Sequence, residues 1–202
     1  MKLTARLLGP DLGVRKTWEA WPEVKLETGA EANPGPTLAF SVPAEFARAF
    51  FFVVLQAADA ERGTRTRNVY TFRCPPQLED AAFRADYRAE APQGLFLDRG
   101  PWLRPQVEKF PTTLALSVRS LSDDSPEVAQ AVVEVTNVGR KPSVMTEVQV
   151  SGPVQVAAED AFFWMEPGET RRLALLVRHP AGKAVSPADV SVRAWNAAAA
   201  HP

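Results

Sequence analysis

The chain has 202 residues, enough for one large or two small domains, and its 46% apolar share is too high for a disordered polymer. With 23 Lys plus Arg against 24 Asp plus Glu, the formal net charge is −1, which excludes a long-range pull toward nucleic acid or an anionic membrane. One cysteine excludes an internal disulfide, and 18 prolines favour turns, edges and linkers over long helices.

Lys2–Leu8 roughly alternates and stops at Gly9-Pro10, which reads as a strand. Thr17–Glu27 follows with Trp18, Trp21, Val24 and Leu26; Pro22 and a phase shift there suggest a bulged or interrupted strand. Gly29–Pro36 is a loop. Thr37–Pro43 reads as a strand with Leu38, Phe40 and Val42 on one face. Ala44–Ala47 is a short connector with room for one helical turn.

Phe50–Ala57 is the most apolar run. Its aromatic and β-branched residues suit a central strand buried on both faces. Asp59–Gly63 is a turn, and Thr64–Phe72 returns as the second arm of a hairpin. Val69 and Thr71 lie on one face, Tyr70 and Phe72 on the other. Arg62, Arg65 and Arg67 read as a solvent-facing strand side. Pro75-Pro76 ends this strand.

Residues 74–110 have weak periodicity and carry Pro75, Pro76, Pro92, Pro101 and Pro105. A structureless loop this long is unusual inside one domain, so the stretch reads as an interdomain linker. Its Phe83, Tyr87, Leu95, Phe96, Leu97 and Trp102 favour packing onto the domains, with a helical turn near Leu78–Phe83.

Strands resume at Pro111. Thr112–Leu121 places Leu114, Leu116 and Val118 together, and Ser122–Pro126 reads as a turn. Val128–Val138 directs Val133, Val135 and Val128 inward. Val144–Val150, a short Ala161–Met165, Thr170–Arg178 and Val190–Trp195 follow. Leu173, Leu175 and Val177 share a face, and Trp195 reads as core. The Ala197–Ala200 stretch reads as a tail. Strands at roughly ten-residue spacing, separated by turn residues, are the pattern of a β-sandwich. The expected fold is all-β: immunoglobulin-like sandwiches over residues 1–73 and 111–197, an ordered linker over 74–110, and a tail over 198–202.

Candidate chemistry is sparse. His179 precedes a proline in a turn, and His201 lies next to the last residue. Neither is set beside a nucleophile and an orienting acid as a catalytic triad requires. Cys74, beside two prolines, reads as a partly buried, inert cysteine. Zinc-ligand spacings and Gly-rich phosphate motifs are missing. Asp123-Asp124 and Glu159-Asp160 offer oxygens of the kind calcium takes, but paired acids in turns are mostly solvated. No carboxylate pair stands out for glycoside hydrolysis. No catalytic residue, metal or cofactor is therefore assigned. Trp102 and Trp164 are the tryptophans expected to be exposed or at an interface, where a flat indole could stack on a sugar ring.

No run of about 18 apolar residues is present to span a bilayer. The first residues do not follow the basic, apolar, small-residue order of a signal peptide. The compartment stays open, since a chain without disulfides suits the cytoplasm and also a secreted or periplasmic bacterial protein.

Several segments carry a family resemblance. Arg67-Asn68-Val69-Tyr70-Thr71-Phe72 resembles the S/T-R-N-V-Y-W/F strand of glycoside hydrolase family 2 enzymes, in their exo-β-D-glucosaminidase and β-mannosidase branch. Phe50–Leu55 with Asp59 resembles the strand before it. Val135–Gly139 resembles the L-T-N-T-G turn of the terminal domain, and Phe162–Thr170 its aromatic pair and P-G-E-T turn. Val190–Asn196 resembles the closing V-x-V-x-G-W-N. Thr71 stands where the family commonly has Trp, and Ala161-Phe162 replaces a common Asp-Asn. The order of the segments is that of the family.

The resemblance implies a non-catalytic region of immunoglobulin-like domains, C-terminal to a catalytic barrel that holds both catalytic glutamates. Its implied partners are that barrel and the N-terminal domains of the parent enzyme. An independent carbohydrate-binding or protein-interaction module is the alternative reading.

Overall fold

The computed structural model describes residues 2–19, 39–46, 49–59, 64–73, 100–182 and 184–202. The chain divides into two compact units, Met1–Leu103 and Arg104–Pro202. Among the described residues it is an all-β protein, with helix limited to α1 (Gly100–Val107) and two single 3-10 turns, Ala44–Phe46 and Pro187–Asp189.

The first unit holds one antiparallel sheet of β1 (Lys2–Leu8), β2 (Val14–Trp18), β3 (Phe50–Asp59) and β4 (Thr64–Arg73), in the order β2-β1-β3-β4. β3 is central, as its composition predicts, and Phe51, Phe52, Val53 and Val54 are all buried. Register pairs Leu7 with Val53 and Phe51 with Phe72, which sets Leu7, Phe51, Val53, Tyr70 and Phe72 on one face. Phe46 stacks on Phe51 at 5.3 Å and Phe40 meets its edge at 6.5 Å, so these two rings cover that face. Trp18 joins Phe40 at 5.5 Å, and Phe72 also stacks on Phe51 at 5.3 Å. A row of rings thus crosses the sheet from β2 to β4. Leu8, Phe52 and Val54 are buried on the opposite face.

Three expectations are corrected in this unit. β2 begins at Val14, not Thr17, because it pairs with β1 across the Gly9–Gly13 turn. Asp11 and Glu45 grip Arg15 in that turn, at 3.0 and 2.8 Å, and both raise its pKa, Glu45 the more. Ala39–Pro43 runs as irregular chain; Phe40 is held by ring contacts, not by a ladder. Arg67 is half-buried on the face it shares with Val69, not solvent-facing. Trp21, Pro22, Cys74 and the Leu78–Phe83 turn lie outside the described residues.

Helix α1 falls where only linker was expected. Pro101 sits in its first turn, where a missing N–H costs nothing, and Leu103 and Val107 are buried one turn apart. Pro105 inside it hides the helix from a propensity reading.

The second unit is a two-layer sandwich. One sheet runs β5-β6-β10-β8 and the other β12-β11-β7-β9. The strands are β5 (Leu114–Ser125), β6 (Val128–Asn137), β7 (Ser143–Val150), β8 (Gln155–Ala158), β9 (Phe163–Met165), β10 (Thr170–Arg178), β11 (Val190–Ala194) and β12 (Ala197–Ala200). Leu116, Val133, Val135, Leu173, Leu175 and Val177 from the first sheet meet Val148, Met165, Val190 and Val192 from the second in one core. Alternation is clean on β6 and β10, so a period of two selects the inward set. Replacing fully buried Val133 with Ala is expected to destabilise the unit by about 2 kcal/mol, read as a lower urea midpoint with unchanged slope.

Val128 is half-buried, because inward positions on β6 are odd-numbered from Ala129. The β5–β6 connection is only Pro126-Glu127; Ser122–Ser125, expected as a turn, continues the strand. β12 is a strand, not a tail, joined to β11 through Trp195-Asn196. Trp195, expected in the core, is half-buried in that turn.

Candidate functional site

One end of the sandwich is closed by two buried asparagines. Asn137 ends β6 and is 0% exposed. Its amide donates to the carbonyls of Lys141 (2.8 Å) and Met165 (3.3 Å), and its Oδ1 accepts from the Gly139 N–H at 3.2 Å. The Thr112 hydroxyl lies 2.8 Å from both Asn137 Oδ1 and the Lys141 carbonyl, and donates to one at a time. Asn196, 3% exposed, donates to the carbonyls of Phe110 (3.0 Å) and Pro142 (2.9 Å) and accepts from the Val144 N–H at 3.0 Å. Its own carbonyl accepts from the Thr112 N–H at 2.8 Å. Buried backbone groups must be paired, and here two side chains pair those that no ladder reaches.

The turn after β9 completes this end. Gly168 takes φ +76°, a region open to glycine, and its N–H donates to the Asn137 carbonyl at 2.8 Å. The Glu169 carboxylate accepts from the Glu166 N–H at 2.8 Å. The Glu166 carboxylate accepts from the Trp164 indole N–H at 2.6 Å. Trp164 is only 6% exposed, so the exposure expected of it is not found and its ring face is not open to a sugar. Replacing Trp164 with Phe removes one charge-assisted hydrogen bond and leaves Glu166 short of a donor. The expected loss is about 1–2 kcal/mol, read by urea unfolding.

Trp102 lies in α1, and its side chain is outside the described residues. The structure therefore does not bring Trp102 and Trp164 into one described site.

The titratable groups form no catalytic set among the described residues. Carboxylates are taken up in surface ion pairs: Glu108 with Arg104 at 2.7 Å, Glu147 with Arg193 at 2.7 Å, Asp160 with Arg171 at 2.8 Å, and Glu134 with Arg119. His179 is buried at the end of β10, with Nδ1 3.2 Å from the Pro180 carbonyl and no carboxylate bonded to it. His201 is exposed. Asp124 accepts from Gln130 at 3.3 Å, and the Glu159 carboxylate accepts from the Ala174 N–H at 3.4 Å, so these acids cap local structure. No group of three or more His, Cys, Asp or Glu side chains that could hold a metal occurs among the described residues. At this end the Asn137 amide joins β6 of one sheet to Met165 of β9 in the other.

The sequence matches no family model and none of the curated proteins. Solved structures do match. The crystal structure of the Amycolatopsis orientalis exo-chitosanase CsxA superposes with a TM-score of 0.59 at 16% identity, over 98% of this chain and 23% of that one. A complex of the same enzyme with PNP-β-D-glucosamine gives 0.55 at 14% identity over the same shares. Its structure as the exo-β-D-glucosaminidase CsxA inhibited by a glucosamine-configured castanospermine gives the same values. At such identity the likeness establishes fold. The segments that resemble the exo-β-D-glucosaminidase branch lie on β3, β4, the Asn137 turn, β9 and β11. The chain spans about a quarter of the length of the solved structures it matches, and its fold is similar to that part of them.

Proposed function

We propose that this chain is a non-catalytic accessory region of a glycosidase of the exo-β-D-glucosaminidase or β-mannosidase kind, and that it buttresses the catalytic barrel. The observation that carries this reading is coverage: nearly all of this chain is accounted for by under a quarter of a larger hydrolase. The inventory of side chains supports it. Glycoside hydrolysis generally uses two carboxyl groups flanking the scissile bond, and Asp160, Glu147 and Glu169 are among the described carboxylates engaged in ion pairs or turn caps. The partners are the barrel and the N-terminal domains of the parent enzyme.

The purified chain should release no p-nitrophenol from p-nitrophenyl β-D-glucosaminide or β-D-mannoside at any pH between about 4 and 8. Turnover above the uncatalysed rate by the purified chain would overturn the reading.

A further inference from the structure

In the first unit, β1, β3 and β4 turn Leu7, Phe51, Val53, Tyr70 and Phe72 to one face. Leu7, Phe51 and Val53 are buried, whereas Tyr70 and Phe72 on the same face are each 46% exposed. The buried part is the part that Phe40 and Phe46 cover. Phe46 lies 5.3 Å from Phe51 with planes within 15°, Phe40 meets its edge at 6.5 Å, and Leu7 and Val53 pack in the same cluster. Both covering rings come from residues 39–46, which run as irregular chain and one 3-10 turn. Among the described residues no backbone hydrogen bond carries this segment into the ladder. The Phe46 N–H donates to Pro43 within it, and the Phe46 carbonyl accepts from Ala49, just before β3. An ion pair, Glu45 with Arg15 at 2.8 Å, ties it to β2.

We infer that residues 39–46 are a strap that lifts off the sheet as a local unit, with Glu45–Arg15 as its latch. Lifting uncovers Leu7, Phe51 and Val53 while the β2-β1-β3-β4 ladder stays intact. Ladder strands share hydrogen bonds and open together; a segment held outside the ladder can open by itself at lower cost. What holds the strap down is burial of Phe46 and of part of Phe40, and the backbone entropy of its eight ordered residues opposes this. Ser41, Val42, Ala44 and Glu45 are exposed and add little burial. The latch joins side chains that are 32% and 55% exposed, so it is weak and screened by salt. The open form is a minor state of about 0.1–10%. In it the first unit presents an unbroken apolar face, so the strap sets how often that face is available.

This inference does not rest on the accessory reading, which the hydrolysis assay decides separately. Thiol labelling of the full chain by iodoacetamide, on a Cys74→Ser background, gives the test. Leu7→Cys places a thiol under the strap, and Leu8→Cys places one on the opposite face of the same strand; the leucines are 2% and 0% exposed. Val53→Cys and Val54→Cys repeat the contrast on β3, so the test survives if a β1 variant fails to fold. The thiols at positions 7 and 53 should be labelled at least about tenfold faster than those at 8 and 54, with a shallower dependence on urea, as local opening exposes less surface than unfolding. Adding Glu45→Gln should speed labelling at 7 and 53 by about 1.5- to 5-fold and leave 8 and 54 unchanged. Equal rates with equal urea dependence on the two faces would mean that the sheet opens only as a whole, and would overturn the proposal. So would faster labelling at 8 and 54, or a Glu45→Gln effect that is missing or equal at all four positions.

Discussion

Replacing Asn196 with Ala is expected to lower the stability of the second unit by about 3–4 kcal/mol. The side chain donates to Phe110 and Pro142 and accepts from the Val144 N–H, and it is almost wholly buried. Alanine leaves two carbonyls and one N–H without partners in a site closed to water. Each stranded group costs about 1–3 kcal/mol, and partial relaxation brings the sum below three full penalties. The check is urea unfolding followed by the fluorescence of Trp164 and Trp195, both within this unit. The midpoint should fall with the slope unchanged, and the melting temperature should drop by about 12–25 °C. Asn196→Asp should be nearly as harmful, since a carboxylate can accept from Val144 but cannot donate to two carbonyls. A loss below about 1 kcal/mol would mean that water replaces the amide and that this end is open.

Gly139→Ala is the second large effect, also about 3–4 kcal/mol, and its origin is steric. A Cβ there would stand 2.2 Å from the Thr112 hydroxyl and 2.6 Å from the Thr113 backbone nitrogen. Neither neighbour can yield freely. The Thr112 hydroxyl is bonded within the Asn137 cluster, and the Thr113 carbonyl accepts from the N–H groups of Val138 and Gly139 at 2.9 and 3.1 Å. Gly168→Ala supplies the contrast. Nothing lies within 4 Å of its Cβ position, so only the left-handed φ of +76° is penalised, and about 1 kcal/mol is expected. If Gly168→Ala proves the more damaging, close approach at Gly139 is not what demands glycine there.

These contrasts show what was legible from residues alone. β6 and β10 are half-buried strands whose alternation is imposed by the core, so Val133, Val135, Leu173, Leu175 and Val177 could be read as inward with a period of two. The same rule failed where burial does not alternate. The distal half of β5 is mostly exposed and therefore polar on both faces, which made Ser122–Ser125 look like a turn. β8 is a short edge strand with three exposed residues, and β12 is a run of alanines with low strand propensity. β9 buries all three of its residues, so Trp164 gave no sign of being covered. At the locked end, the Asn137 and Asn196 segments were noticed through resemblance. Their role was hidden, because Thr112 lies 25 residues from Asn137 and Phe110 lies 86 from Asn196. At β4 the split of Tyr70 and Phe72 from Val69 and Thr71 was legible, but the exposure of those two rings depends on what the rest of the chain covers.

The Phe110–Asn196 contact also bears on how the second unit folds. Its two partners are separated by 86 residues, so it closes almost the whole unit into one loop. The entropy of that closure is lost before the hydrogen bonds reward it, and such contacts delay folding in β topologies. Local hairpins such as β5–β6 and β11–β12 can form first. The asparagine clasp then belongs to the late side of the barrier. Its removal should leave the refolding rate nearly unchanged and accelerate unfolding, which makes Asn196 a determinant of how long the native state survives.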